Sequence, residues 1–154
     1  AAIGVIGVLV SDVRLIWFIL AGVFLVMSYS LELFGGLFHT DVWFGLAWGA
    51  FPVLTASFAQ LGQFSYVSLL GAAYALVMAM SQRTLSTPAR HLRRKVDAVE
   101  GQIRFRDGQT ITLNRRQLLD PLERSLRLLV AMSVLVALMV LAAHLARGSW
   151  ITGF

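Results

Sequence analysis

Four apolar runs limit what this chain can fold into: residues 15–34, 42–59, 64–80 and 128–145, interrupted by little beyond Ser, Thr, Tyr and single Glu, Pro and His residues. Runs of about 18 or more such residues are long enough to cross a hydrocarbon core roughly 30 Å thick. Composition agrees, with 58% of the 154 residues hydrophobic and 14% charged, where soluble domains carry about 25% charged residues. The expected fold class is therefore an all-α integral membrane protein, a multi-helix transmembrane bundle in which these runs are helices two to five. Residues 1–10 ("AAIGVIGVLV") are too short to span and read as the back half of a first helix whose front lies upstream of Ala1. A signal peptide is the alternative, but no basic residue precedes the apolar stretch and no small-residue cleavage site follows it. With no cysteine, disulfides, thiol catalysis and thiolate metal sites are excluded.

The basic residues are concentrated. Of thirteen Lys and Arg, eleven lie between Arg83 and Arg127, with five acids among them, so this segment carries +6 and the rest of the chain −1. Basic residues beside transmembrane helices stay on the cytoplasmic side, which makes 83–127 a cytoplasmic segment, and a bacterial or archaeal plasma membrane is the expected location. By alternation "GGLFHTD" at 35–41 is also inside, while "SD" at 11–12 and "LGQF" at 61–64 are outside. Arg14 and Arg147 then fall outside. The expected organisation is transmembrane helices over 1–82, a basic cytoplasmic insert over 83–120, and the last transmembrane helix with its outer tail over 121–154.

Inside the insert, Thr87 and Pro88 read as the N-cap and first position of a short helix over 88–100, stopped by Gly101. Its stripe of Leu92, Val96 and Val99 would lie against the membrane or another helix, with the basic side chains near phosphates. "GQIRFRDGQTITLN" (101–114) reads as a hairpin about Asp107-Gly108. A three-residue loop with Gly108 left-handed gathers Ile103, Phe105, Ile111 and Leu113 on one face. That face is expected to pack on neighbouring helices, because an isolated hairpin is marginal in water. Asp120, Pro121 and Glu123 read as the cap, first-turn proline and capping partner that start the last helix.

Polar groups within or beside the membrane runs are the candidate functional residues. Glu32, His39, Thr40 and Asp41 cluster about the inner loop, where Thr40 or Asp41 also suits a helix cap. His39 lacks a second ligand at i+4 for a metal site, and His144 reads as interfacial. Gly45 and Gly49, in "GLAWG", have the spacing that lets helices approach closely, and Pro52 is expected to kink the same helix; close packing is the first reading, and a lipid-tail cavity bordered by the kinked helix is the alternative. Arg83, Arg90, Arg93, Arg94 and Lys95 are the candidate ligands for a diphosphate or a lipid phosphate, which arginine grips bidentately. Nucleic acid is not an expected partner, since the basic segment offers only Phe105 as a stacking platform. No Ser-His-Asp order, phosphate loop, zinc signature or paired carboxylates is present.

The stretch "YSLELFGGLFHTDVWFGLAWGAFPVLTASFAQLGQFS" (29–65) resembles in layout the segment joining helices four and five of the UbiA-like polyprenyl transferases. Tyr29 near a helix end, Thr40 in a short loop, then Gly45, Gly49 and Pro52 in the next helix carry the likeness, which extends loosely over 1–95 and the last helix. It implies a helical bundle that moves a prenyl group from a polyprenyl diphosphate to an acceptor, using Mg²⁺ held by two Asp-rich motifs. One motif would lie upstream of Ala1. The other is expected at the end of the run 64–80, where this chain has "AMSQRTLSTPARHLRRK" and no acid before Asp97. The basic companions of the loop Thr are also missing. The expectation is thus a partial or degenerate relative that binds isoprenoid diphosphate or anionic membrane lipid at its cytoplasmic face. The alternative is a non-catalytic membrane subunit whose insert docks a partner protein or the missing N-terminal half.

Overall fold

The structure is a computed structural model that describes residues 12–33 and 35–151, with side chains to residue 146; the expected partial helix over 1–10 lies outside the described residues. The chain divides into two compact units, Ala1–Thr84 and Leu85–Phe154. Among the described residues its elements are four helices and one short two-stranded antiparallel hairpin.

The first unit is built on three helical segments that run back and forth. Helix α1 (Leu15–Ser30) ends four residues before the apolar run does, and the chain reverses through positive φ at Glu32, Gly35 and Gly36, a conformation glycine adopts without steric cost. Thr40 caps the next helix, its hydroxyl accepting from the Trp43 N–H at 3.3 Å. Helix α2 (Asp41–Leu61) is not uniform: a first α turn, a π-helical stretch Gly45–Ala50, then α-helix Phe51–Leu61. The Phe51 N–H bonds to the Leu46 carbonyl, five residues back. Pro52 follows that widened turn. A proline has no N–H to give and its ring crowds the carbonyl four residues earlier, so a locally opened helix is where it fits best. Gly62, left-handed at φ 66, closes α2 with its N–H on the Phe58 carbonyl.

Ser65 and Ser68 then cap one another reciprocally: the Ser68 N–H donates to Ser65 Oγ at 3.1 Å and the Ser65 N–H to Ser68 Oγ at 2.8 Å. Helix α3 (Tyr66–Arg94) starts there. The glycines of α2 decide how it packs. A methyl group on Gly49 would strike the Ala75 carbonyl and one on Gly45 would lie 2.8 Å from Met80 Cγ, so the two helices meet backbone to backbone. At the end where α1 and α3 begin, Phe18, Phe58 and Phe64 form a cluster with ring centroids 5.0–6.2 Å apart. Arg14 lies 5.0 Å over Phe58 and is forked onto Asp12.

The expected short helix over 88–100 does not exist. Helix α3 runs straight through Pro88 to Arg94, and 96–101 is irregular chain. A proline's φ is already helical and removes one donor, so a helix flanked by good formers survives it at the loss of one bond; Ala89, next to it, is buried.

The second unit holds the end of α3, the hairpin and helix α4. Strands β1 (Gln102–Arg104) and β2 (Thr110–Thr112) pair with Ile103 opposite Ile111. Phe105 and Gly108 close the loop through Phe105 N–H to Gln109 O and Gly108 N–H to Phe105 O, with Gly108 at φ 86, the bulged three-residue loop that the side-chain parity predicts. Its apolar face is not packed on helices, however. Ile103, Phe105 and Ile111 are 44%, 46% and 43% exposed.

Helix α4 (Arg115–Ile151) begins six residues before Pro121, another departure from expectation. Asn114 and Gln117 cap each other, each side-chain oxygen accepting the other's N–H at 2.9 Å, a reciprocal box that satisfies two otherwise orphaned donors. Pro121 sits inside the helix. Arg93 reaches Glu123 at 2.7 and 2.9 Å, and Arg115 donates to the Arg93 carbonyl at 2.6 Å, which ties the end of α3 to the start of α4. By length and composition, α2 and the stretch Arg115–Ala146 of α4 are apolar and long enough to cross a membrane; α1 is apolar but shorter.

Candidate functional site: an arginine knot beside an apolar cavity

Helix α1 carries Tyr29 at its last turn, the loop carries His39, and α2 carries Asp41 at its first position. Because the three helices of this unit alternate in direction, those positions meet the far end of its third helix, where Arg83 stands. The Arg83 guanidinium is shared three ways. Nε pairs with Asp41 Oδ1 at 2.7 Å, Nη1 donates to Tyr29 Oη at 2.7 Å, and Nη2 donates to the His39 carbonyl at 3.1 Å. Its carbon lies 5.1 Å from the Phe44 ring centre and 5.7 Å from that of Tyr29, within cation–π range. The His39 ring stacks on Tyr29 at 4.7 Å.

Exposure is unequal across the pair: the Arg83 side chain is 16% accessible and that of Asp41 51%. The cation is fixed within an aromatic frame while its counter-ion stands at the rim. A planar guanidinium holding three acceptors in a low-dielectric frame is a ready receptor for phosphate oxygens, and the half-exposed carboxylate is the acceptor most easily exchanged for one.

Beside this knot, α1 and α2 enclose an apolar cavity of ≈ 250 Å³, lined by Gly22, Leu25, Val26, Ala47, Trp48, Phe51 and Pro52. Trp48 belongs to both places. It lines the cavity and packs edge-on to Tyr29 at 6.4 Å between ring centres, so one aromatic residue separates the apolar slot from the ring that bonds Arg83.

Among the sequence candidates, Arg83, His39 and Asp41 come together in this knot, and Thr40 serves as the cap beside it. Glu32 is exposed at positive φ and takes no part. Gly45 and Gly49 form the seam with α3, and Pro52 borders the cavity. Arg90, Arg93, Arg94 and Lys95 belong to the second unit, where all four are exposed; Arg93 is tied to Glu123 and Arg90 Nε lies 3.4 Å from the Ser86 carbonyl. Sequence reasoning offered a cavity beside the kinked, glycine-bearing helix, and Trp48 and Pro52 of α2 do line one, but it did not place Tyr29 on Arg83. The one available signal was that Asp41 and Arg83 fall at helix ends facing the same side.

The second Asp-rich motif that a UbiA-like metal site would place at the end of the run 64–80 finds no fit there, where no acid precedes Asp97. Among the described residues no three His, Asp or Glu side chains gather as a set for a metal ion, and Asp41 is engaged by Arg83. Comparison of the chain with protein-family models, curated proteins and solved structures finds no match.

Proposed function

We propose that this chain is an integral membrane protein that holds a phosphate-bearing amphiphile, an isoprenoid diphosphate or an anionic lipid, at its cytoplasmic face. The adjacency of the Arg83 knot and the apolar cavity through Trp48 carries the reading. The head's phosphate oxygens take the place of the Asp41 carboxylate on Arg83, and the hydrocarbon chain enters the slot between α1 and α2. Two features support the membrane setting. The apolar stretch of α4 has a mean hydropathy of 2.6 with none of it buried, a surface that suits lipid. The basic residues of 83–127 suit the cytoplasmic side.

The layout shared with UbiA-like polyprenyl transferases points to the same ligand class. Binding is the role that the Arg83 knot and the cavity support, as in a partial or degenerate relative of that superfamily.

Titration of the purified protein with farnesyl diphosphate and with a dispersed anionic phospholipid, followed by native mass spectrometry, tests the proposal and separates the two head sources. Charge-assisted bonds contribute about 1.5–3 kcal/mol each, so Arg83→Gln is expected to weaken binding by roughly ten-fold or more. Asp41→Asn supplies the sign test. If Arg83 receives the ligand, removing its competitor raises affinity; if the knot is only a structural clasp, the same change leaves binding unaltered or lowers it, and the proposal fails.

A further inference from the structure

The hairpin remains unaccounted for, and its first strand has a distinctive order. Ile103-Arg104-Phe105 alternates apolar and basic residues along β1 and the closing pair of its ladder, so successive side chains fall on opposite faces of the ribbon, and Arg106 follows in the loop. The Gly101–Leu113 and Phe105–Gln109 pairs bond across the ribbon, and with Ile103 opposite Ile111 the alternation of an antiparallel ladder turns the N–H and C=O of Gln102 and Arg104 outward. The β1 edge is therefore open. It is bordered on one face by Ile103 and Phe105, both close to half exposed, and on the other by Arg104, which forms no salt bridge among the described residues.

Its cover has to be identified by position and charge. On the reading that α4 enters the membrane at Leu128, on which this step rests, thirteen residues of helix separate that point from Arg115, about 20 Å at 1.5 Å per residue. The headgroup layer is only about 5–8 Å deep, which leaves the hairpin in water rather than on lipid. A second copy on this edge would bring its own Arg104 alongside, and like charges on facing strands repel. We propose that the β1 edge docks an extended segment of a cytoplasmic protein in which apolar and acidic side chains alternate. The added strand bonds to the outward backbone groups of Gln102 and Arg104, lays its apolar side chains beside Ile103 and Phe105, and sets its acids against Arg104, the strand-addition mode of recognition.

Fluorescence anisotropy on the full chain in detergent tests this with three synthetic heptapeptides: alternating Val and Glu, a block isomer of the same composition, and alternating Val and Lys. The alternating Val/Glu peptide is expected to bind at least ten-fold more tightly than the other two. Arg104→Glu should transfer the preference to the Val/Lys peptide, and Gln102→Pro, which removes an outward N–H and no bond of the ladder, should abolish binding. Equal binding of the alternating and block peptides would reduce the effect to net charge and overturn the proposal. So would a detergent-stable dimer that Gln102→Pro dissociates, which would make a second copy the occupant. The chain has no cysteine, so Arg106→Cys gives one site for an environment-sensitive dye; a blue shift in anionic nanodiscs would assign the tip to the membrane and equally overturn it. Glycosylation mapping of α4 tests the membrane reading separately, and the peptide result does not depend on it.

Discussion

The two units solve the same problem of apolar excess in opposite ways. In the first, residues far apart in sequence close on one another: Gly45 and Gly49 admit the backbone of α3, and Arg83 bonds residues 44 and 54 positions away. In the second, the long-range side-chain ties among the described residues join the end of α3 to the start of α4, and most large side chains of α4 from Leu128 onward are exposed, many above 50%. The first unit thus contains its own specificity, set by steric fit and a largely shielded cation held by several partners. The second presents exposed apolar surface, which on our proposals is covered by lipid along α4 and by a protein strand at the hairpin.

This contrast breaks most visibly at the glycine seam. Gly49→Val puts a branched side chain where even a methyl group meets the Ala75 backbone, and backbone yields less readily than a side chain. A loss of about 3 kcal/mol or more is expected, at the upper end of what overpacking costs, read as a lower midpoint in thermal unfolding followed by tryptophan fluorescence. Ala131→Val on the exposed α4 is the matched control, expected within about 0.5 kcal/mol of the parent as for surface substitutions. Comparable losses at both positions would mean that α4 packs as tightly as α2.

A smaller effect sharpens the second unit alone. If α4 starts at the Asn114–Gln117 box, Asn114→Ala should cost about 1 kcal/mol, the usual worth of an N-cap, while Asp120→Ala should cost almost nothing. The reverse order would move the start of the helix to Pro121. Circular dichroism with denaturant titration distinguishes them.

That pair of residues also shows why part of the fold was legible in the sequence and part was not. Parity about Asp107-Gly108 was sufficient for the hairpin, because a single-residue slip sends Ile103 and Ile111 to opposite faces. Pro88 and Pro121 misled, each resembling a first helical position. A helix passes through proline when its flanks are held elsewhere, as Arg93 and Glu123 hold these, and that tie is invisible in a local window. The serine pair 65/68 and the box 114/117 were readable by the same capping rule but were overshadowed by stronger local signals. The knot lay beyond local reading altogether: Tyr29, Asp41 and Arg83 are joined only by the return of the chain, and nothing in the spacing of aromatic residues announced that Trp48 would face a cavity.

The smallest expected effect concerns the entrance to the first unit, where a local contact stands beside long-range ones. Asp12 accepts both the Arg14 side chain and the Arg14 N–H; the side-chain bond, then the backbone bond, hold its carboxyl below its ordinary value near 3.8. A carboxyl whose folded pKa is depressed favours folding above its unfolded pKa, and that contribution disappears as pH falls through the folded value. Because the Arg14 side chain is 60% accessible and that of Asp12 24%, solvent screens much of it. The Asp12→Asn variant should therefore differ slightly from the parent in thermal midpoint at neutral pH and converge with it in acid, once the pH has fallen through the lowered value of the folded carboxyl. Raising the salt concentration should shrink the neutral-pH difference, since exposed charges are screened over about a Debye length. A difference that persists unchanged in acid would show that residue 12 acts through its hydrogen-bond geometry rather than its charge. The entrance would then belong with the knot, whose bonds are fixed by shape, and not with the screened surface pairs.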